Sequence, residues 1–322
     1  MPRYIRNTVI LLKNETTSGT DAVPTGAANA MLVSEMSITP LDSKNIDRNL
    51  VRGYFGASEQ LVGPASVKVT FTVELAGSGT AATAPLWGAA LLSCAAAEGL
   101  LSTPGRVEYT PASTSLKTST IYYYDDGVLH KLFGVMGNAQ LVAKVGDKPM
   151  IKFDFIGLDG GISAATATAT LSSWKTPVAM TKANVVDITL GATYSLGAIT
   201  GGTVYPSTGL ELNFGNVVNF NPMLSSDSVD ITDRQSSGSM ELDLTAAQEV
   251  SMMAIVKAST TQSLALTIGL TAGNKILVHA PAVQLFNPKK SDLNGKRLIG
   301  YDLRVVPTAA GSGNDEWRIV TQ

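Results

Sequence analysis

One cysteine, Cys94, and two histidines, His130 and His279, are all that this 322-residue chain offers to thiol and imidazole chemistry. A lone cysteine excludes an intrachain disulfide. Alanines follow it and no histidine lies near it in sequence, so it reads as a small buried apolar residue rather than a nucleophile. The histidines stand singly in strand-like runs, whereas a metal site needs several converging ligands. Charge is scarce as well, 16% of residues against about a quarter in ordinary globular chains. With 24 basic and 26 acidic residues, the chain lacks the footprint of a nucleic-acid or membrane-surface binder. Either other copies cover much of the surface, or a compact β fold exposes Thr and Ser in place of charge.

Long apolar runs are missing too. The uncharged stretches Leu75 to Ala97 and Ile188 to Leu210 are broken by glycines, a proline and polar residues, so neither is expected to span a bilayer. Val9 to Leu12 is too short for a signal-peptide core, and a cytosolic origin is expected. The Gly-Ser-Gly triplets at 77–79 and 311–313 lack the Lys-Ser/Thr of a phosphate loop and read as turns. Asp125-Asp126 and the acids of 225–233 lack the twelve-residue calcium pattern. No nucleophile, base and orienter assemble, so no enzyme, cofactor or metal is expected.

What is present centres on Val67 to Glu98. Val67, Val69, Phe71, Val73 and Leu75 alternate with Lys68, Thr70, Thr72 and Glu74, the period of a half-buried strand. After a Gly/Ser/Thr/Ala hinge, Thr83 as cap and Pro85 in a first turn predict a helix from Pro85 to Ala97. That helix is expected to be the principal one of the first half.

In chain order, residues 1–32 read as an N-terminal arm that finds its partner elsewhere, on a neighbouring subunit. A first module spans 33–158, opening with a strand from Val33 that ends at Pro40. Leu41 to Ser66 is a long excursion mixing charge with Tyr54 and Phe55; such connections are uncommon unless functional. Asp125-Asp126-Gly127 marks a hairpin turn. Residues 159–209, poor in charge, read as a connecting segment. The second module, 210–322, holds a helix candidate at Thr245 to Lys257, with Thr245 as cap and Val250, Met253, Ala254 and Val256 for packing.

The halves repeat a pattern. Lys148-Pro-Met-Ile-Lys-Phe-Asp-Phe155 aligns with Lys296-Arg-Leu-Ile-Gly-Tyr-Asp-Leu303, and Asp47-Arg48 and Asp233-Arg234 each precede a strand that leads to a helix. A duplication accounts for this, though convergent β patterning could imitate it.

At this point the chain resembles the tail tube proteins, or major tail proteins, of bacteriophages with long, flexible, non-contractile tails. The resemblance rests on Arg52-Gly-Tyr-Phe-Gly56, the block Phe71 to Ala95, Leu212 to Val217, Val229 to Arg234 with Gly238-Ser239, and Gly313 to Glu316. It implies a mostly β fold of two tandem β-sandwich or barrel modules, each with one flanking helix. It further implies stacked rings forming a hollow tube in the virion tail, assembled in the host cytoplasm. A duplicated chain satisfies a pseudo-sixfold ring as a trimer; a hexamer with 159–209 as an exterior decoration is the alternative. Implied partners are further copies of the chain, a tape-measure protein, tail terminator and distal tail proteins, and double-stranded DNA in transit without specific binding. Expected contact residues are Arg48, Arg52, Tyr54, Phe55, Asp233 and Arg234, with the excursion Leu41 to Ser66 and its counterpart Asn219 to Gly238 reaching the next ring. The lumen is expected to be neutral or acidic, because lysine and arginine would hold phosphates. The rival reading is a β-sandwich adhesin or carbohydrate-binding module, which 6% aromatic residues disfavour.

Overall fold

The computed structural model describes residues 2–308 and 313–322; Gly311 and Ser312 of the second Gly-Ser-Gly triplet lie outside them. Strands hold 54% of the residues and helices 6%. The first half runs β1 (Val9–Asn14), β2 (Ala30–Met31), β3 (Val33–Ser43), β4 (Ala65–Glu74), α1 (Gly88–Leu92), β5 (Ala96–Ser102), β6 (Gly105–Pro111), β7 (Ser119–Asp125), β8 (Val128–Lys144) and β9 (Met150–Ala164). The second runs β10 (Val185–Ser195), β11 (Ala198–Val204), β12 (Ser207–Asn213), β13 (Asn216–Pro222), β14 (Asp227–Arg234), β15 (Ser237–Leu242), α2 (Ala246–Lys257), β16 (Thr261–Ile268), β17 (Ile276–Leu293), β18 (Lys296–Val305) and β19 (Arg318–Thr321).

All pairings are antiparallel, and they follow one order twice. The first half pairs β3–β4–β9–β8–β7–β1, and the second pairs β12–β15–β18–β17–β16–β10. Register repeats as well: Thr70, Phe71 and Thr72 face Asp154, Phe153 and Lys152, while Ser239, Met240 and Glu241 face Asp302, Tyr301 and Gly300. The halves join where β8 pairs β12, and again where β6 pairs β19.

The alternation of β4 holds in space. Val67, Val69, Phe71 and Val73 are buried, and Phe71 packs within 5.6 Å of Phe153 and 5.5 Å of Phe155. One core runs from these rings through Leu141, Leu210, Leu212 and Tyr301 to Ile319. Trp317 stacks on Phe214 there at 4.0 Å. Asp126 and Gly127 both take positive φ in the expected turn between β7 and β8, as a two-residue hairpin requires.

Several expectations need correction. The helix expected over Pro85 to Ala97 is the five-residue α1. Ala95 turns to φ +54, and the alanines after it pair as β5 with β6, so tertiary pairing overrides helix propensity. Gly88 is needed where it stands: a Cβ there would lie 2.1 Å from the Tyr109 hydroxyl. The arm 1–32 is not free for a neighbour, because β1 buries Ile10, Leu11 and Leu12 between β7 and β2 of its own chain. Strand β3 continues past Pro40 to Ser43, with a register shift between Thr39 and Asp42 and Pro40 at an edge that needs no N–H. Much of the segment 159–209 is strand, the end of β9 and then β10 to β12; the irregular connection is 165–184.

The second helix follows its sequence signal. Thr245 and Gln248 close a reciprocal capping box, as a Ser/Thr-x-x-Glu/Gln start favours. Its packing stripe differs from expectation: Met252 is buried and Val250 is exposed. The Asp-Arg pairs do not correspond, since Arg48 follows the outgoing limb of its excursion and Arg234 ends the returning strand β14.

Candidate assembly interface

Eight strands form one continuous surface in the order β3–β4–β9–β8–β12–β15–β18–β17. One face carries Phe71, Phe153, Leu141, Leu212, Met240 and Tyr301 into the core. The opposite face is open and hollowed, with a groove of about 470 Å³ spanning Lys144, Glu211, Glu241, Lys289 and Asp302. Its lysines stand beside acids: Lys144 with Glu211 at 2.6 Å, Lys289 with Asp302 at 3.5 Å, Lys152 with Asp154 at 3.9 Å and Lys68 with Asp42 at 2.5 Å. Exposed pairs add little stability, but they cancel positive charge on this face. Arg304 has no such ion pair among the described residues.

The surface ends on two edges. Among the described residues, β3 on one side pairs only with β4. On the other, the Lys289–Leu293 end of β17 pairs, among the described residues, only with β18. The bends in the long strands create this arrangement. The first part of β8 pairs β7 in the second layer, then register shifts near Phe133 to Met136 carry it across to β12. In β17, Asn287 and Pro288 form the bulge between Phe286 and Lys289, and such bulges bend and terminate pairing. Unpaired edges are templates for another strand.

Two excursions extend from the sheet ends. Residues 44–64 are joined by one bridge between Ile46 and Leu61. Arg48 and Arg52 both reach Glu59, the latter at 3.5 Å, and the Arg52 guanidinium lies 5.9 Å from the Tyr54 ring centre. Tyr54 is 69% exposed, and Val51 and Phe55 are fully exposed, so this segment presents apolar side chains to solvent. The β13–β14 hairpin ends in Met223 and Leu224, the latter fully exposed. Sequence reading missed Val51, Met223 and Leu224, although an apolar pair between Pro222 and Ser225 in a turn was a usable signal.

Asp233 is exposed, and bonds from the Gln235 amide and the Arg234 N–H hold its carboxyl below the ordinary range. Arg234 is largely enclosed. It donates to the Ala112 carbonyl at 2.9 Å, to Asn314 at 3.2 Å and to Glu316 at 3.0 Å, bracing the hairpin against its own chain. Asn216, another residue the sequence reading missed, does the same by donating to the Cys94 and Gly137 carbonyls.

The reactive groups are enclosed or committed elsewhere. Cys94 is buried, which pushes its thiol well up. His130 is lowered by burial, and His279 is lowered to about 4 by burial and by Arg318. Burial pushes Glu108 up, but bonds from Tyr194 and Arg106 and the charge of Arg318 bring it below the usual range. Among the described residues, no group of three or more metal-ligating side chains gathers, and no helix is long and apolar enough to cross a membrane. A groove of about 650 Å³ beside Val145, Met180, Val204 and Leu266 has no aromatic residue in its lining.

A search of curated proteins found no match. The family model described as phage tail tube protein matches residues 5–316, almost the whole length and both sheet halves. The chain belongs to the phage tail tube protein family.

Proposed function

We propose that the chain, a structural protein of the virion tail, is a tandem duplication, with modules at 2–164 and 185–322, and that three copies form a ring of pseudo-sixfold symmetry. The observation that carries this reading is the six-strand order β3–β4–β9–β8–β7–β1 of the first half, which recurs as β12–β15–β18–β17–β16–β10 in the second, with one β8–β12 junction between them. Two modules made continuous through β8 and β12 make a third of a closed six-module ring.

In that ring the hollowed face lines the lumen. Its lysines stay paired to acids, so a passing polyanion meets few free cations and is not held. The segment 44–64 and the β13–β14 hairpin reach the adjacent ring, with Arg48, Arg52, Tyr54 and Phe55 at the contact and Asp233 and Arg234 at the hairpin base. Assembly proceeds in the host cytoplasm on a tape-measure protein, with a tail terminator and a distal tail protein at the two ends. The role is structural rather than enzymatic.

Negative-stain microscopy of the purified protein at high concentration tests the reading. Hollow tubes with a regular axial repeat support it; dispersed particles at every concentration refute it.

A further inference from the structure

We propose that the ring closes by antiparallel pairing of the Lys289–Leu293 end of β17 with β3 of the next copy, with Lys289 opposite Thr39, Lys290 opposite Ile38 and Ser291 opposite Ser37. The proposal rests on the tube-subunit reading and adds the strands and their register.

The register is read from the junction inside the chain. Gln140, Leu141 and Val142 of β8 face Asn213, Leu212 and Glu211 of β12. The counterparts of these residues follow from the repeated pairings. Gln140, Leu141 and Val142 face Lys152, Ile151 and Met150 of β9; Lys289, Lys290 and Ser291 face Gly300, Ile299 and Leu298 of β18. On the other strand, Ser37, Ile38 and Thr39 face Thr70, Val69 and Lys68, as Glu211, Leu212 and Asn213 face Ser239, Gly238 and Ser237. Transferring the internal junction onto these counterparts gives the three pairs above and no others.

Burial separates the finished junction from the unfinished one. Leu212 is 2% exposed and Leu141 0%, because each strand covers the other. Their counterparts Ile38 and Lys290 are half-buried and exposed respectively. Both edges belong to one sheet, and each lacks a partner on one side among the described residues. Strand exchange therefore satisfies two rows of backbone groups at once.

The substitution of Lys290 for the leucine of the internal junction is compatible with closure. Its ammonium is held by Glu249 of α2 at 2.9 Å, so its alkyl stem can cover Ile38 while the charge stays paired. Lysines and Pro288 on a free edge also hinder off-register pairing before the ring forms.

The test is disulfide trapping in the full chain. The native Cys94 is buried and stays in place. Two double variants are made, Ser37→Cys with Ser291→Cys and Ile38→Cys with Lys290→Cys. Adjacent antiparallel pairs alternate between wide and narrow spacing, so one of the two suits a disulfide. Assembled tubes are oxidised and run denatured without reductant. The expected result is two-chain and three-chain bands for at least one pair, with none for single variants or for Ser37→Cys with Asp292→Cys, which point to opposite faces. Tubes with neither cross-link, or with the off-register pair linked equally, overturn the register and leave the tube reading intact. Dispersed wild-type particles overturn both. Hydrogen exchange on the wild type is the second measurement: amides of 37–39 and 289–291 gain protection on assembly, and unchanged exchange in tubes overturns the proposal.

Discussion

Lys144 and Glu211 meet at 2.6 Å across the junction of β8 and β12, the ladder that joins the two halves of the hollowed sheet. The pair marks the junction without holding it. Both side chains are substantially exposed, and such pairs contribute about 0 to 1 kcal/mol. The backbone ladder and the buried Leu141, Ala143, Leu210 and Leu212 carry the stability.

Gly209 is therefore the sensitive position at this junction. Its φ is +134, and a Cβ would lie 2.1 Å from the Ala143 carbonyl oxygen. Gly209→Val is expected to cost more than about 2 kcal/mol, while Glu211→Gln costs under about 1 kcal/mol. Denaturant unfolding of the two variants beside the wild type checks the contrast.

Glu15 is buried and accepts from four donors: the Gly19 N–H at 2.8 Å, the Thr118 hydroxyl at 2.7 Å, the Thr120 hydroxyl at 2.9 Å and the Gly134 N–H at 2.9 Å. Removing the carboxylate strands all four. Glu15→Ala is expected to destabilise by about 3 kcal/mol or more, and Glu15→Gln, which keeps one acceptor oxygen, by roughly half as much. Thermal melting orders the variants.

His279 makes stability depend on pH. Its folded value is about 4 against an ordinary 6.5, so between these values the unfolded chain takes up a proton that the native state refuses. Stability falls as pH drops through that window and is unaffected above it. At about 1.4 kcal/mol per pH unit, the loss at pH 4 is at most about 3 kcal/mol. His279→Phe keeps a ring against Tyr194, 5.5 Å away, and is expected to flatten the decline in melting temperature between pH 7 and pH 4.5. An equally steep decline in the variant would rule His279 out as the cause.

Phe55→Ser and Leu224→Ser remove side chains that are fully exposed in the single chain. Each is expected to leave the folding stability of the dispersed protein within about 0.5 kcal/mol of wild type and to raise the concentration at which tubes appear. Light scattering during assembly reads that concentration. An unchanged threshold would remove both residues from the ring-to-ring contact.

The sequence displayed those features that local chemistry determines. The alternation from Val67 to Leu75, the Asp126-Gly127 turn and the Thr245 cap each depend on a few neighbouring residues, and each appears in the fold. The alanine run after Cys94 was misread because its strand partner β6 lies beyond a turn. The lengths of β8, β9 and β17 were not legible from alternation, since bulges within them break the period without ending the strand. The junction of Leu141 with Leu212 was invisible, as no local rule couples residues so far apart. Tyr54 and Phe55 were visible as aromatics in a long excursion, whereas Arg234 looked like a surface residue and is enclosed by Glu316, more than eighty residues further along the chain.

The central claim is that each chain supplies two equivalent modules to one ring. Cryo-electron microscopy of assembled tubes, with each ring viewed down its axis, tests it most directly. The account requires three chains per ring, six similar wall segments and a lumen bounded by β3, β4, β9, β8, β12, β15, β18 and β17. Six chains per ring, or a lumen lined by the layer containing β7 and β16, would contradict it.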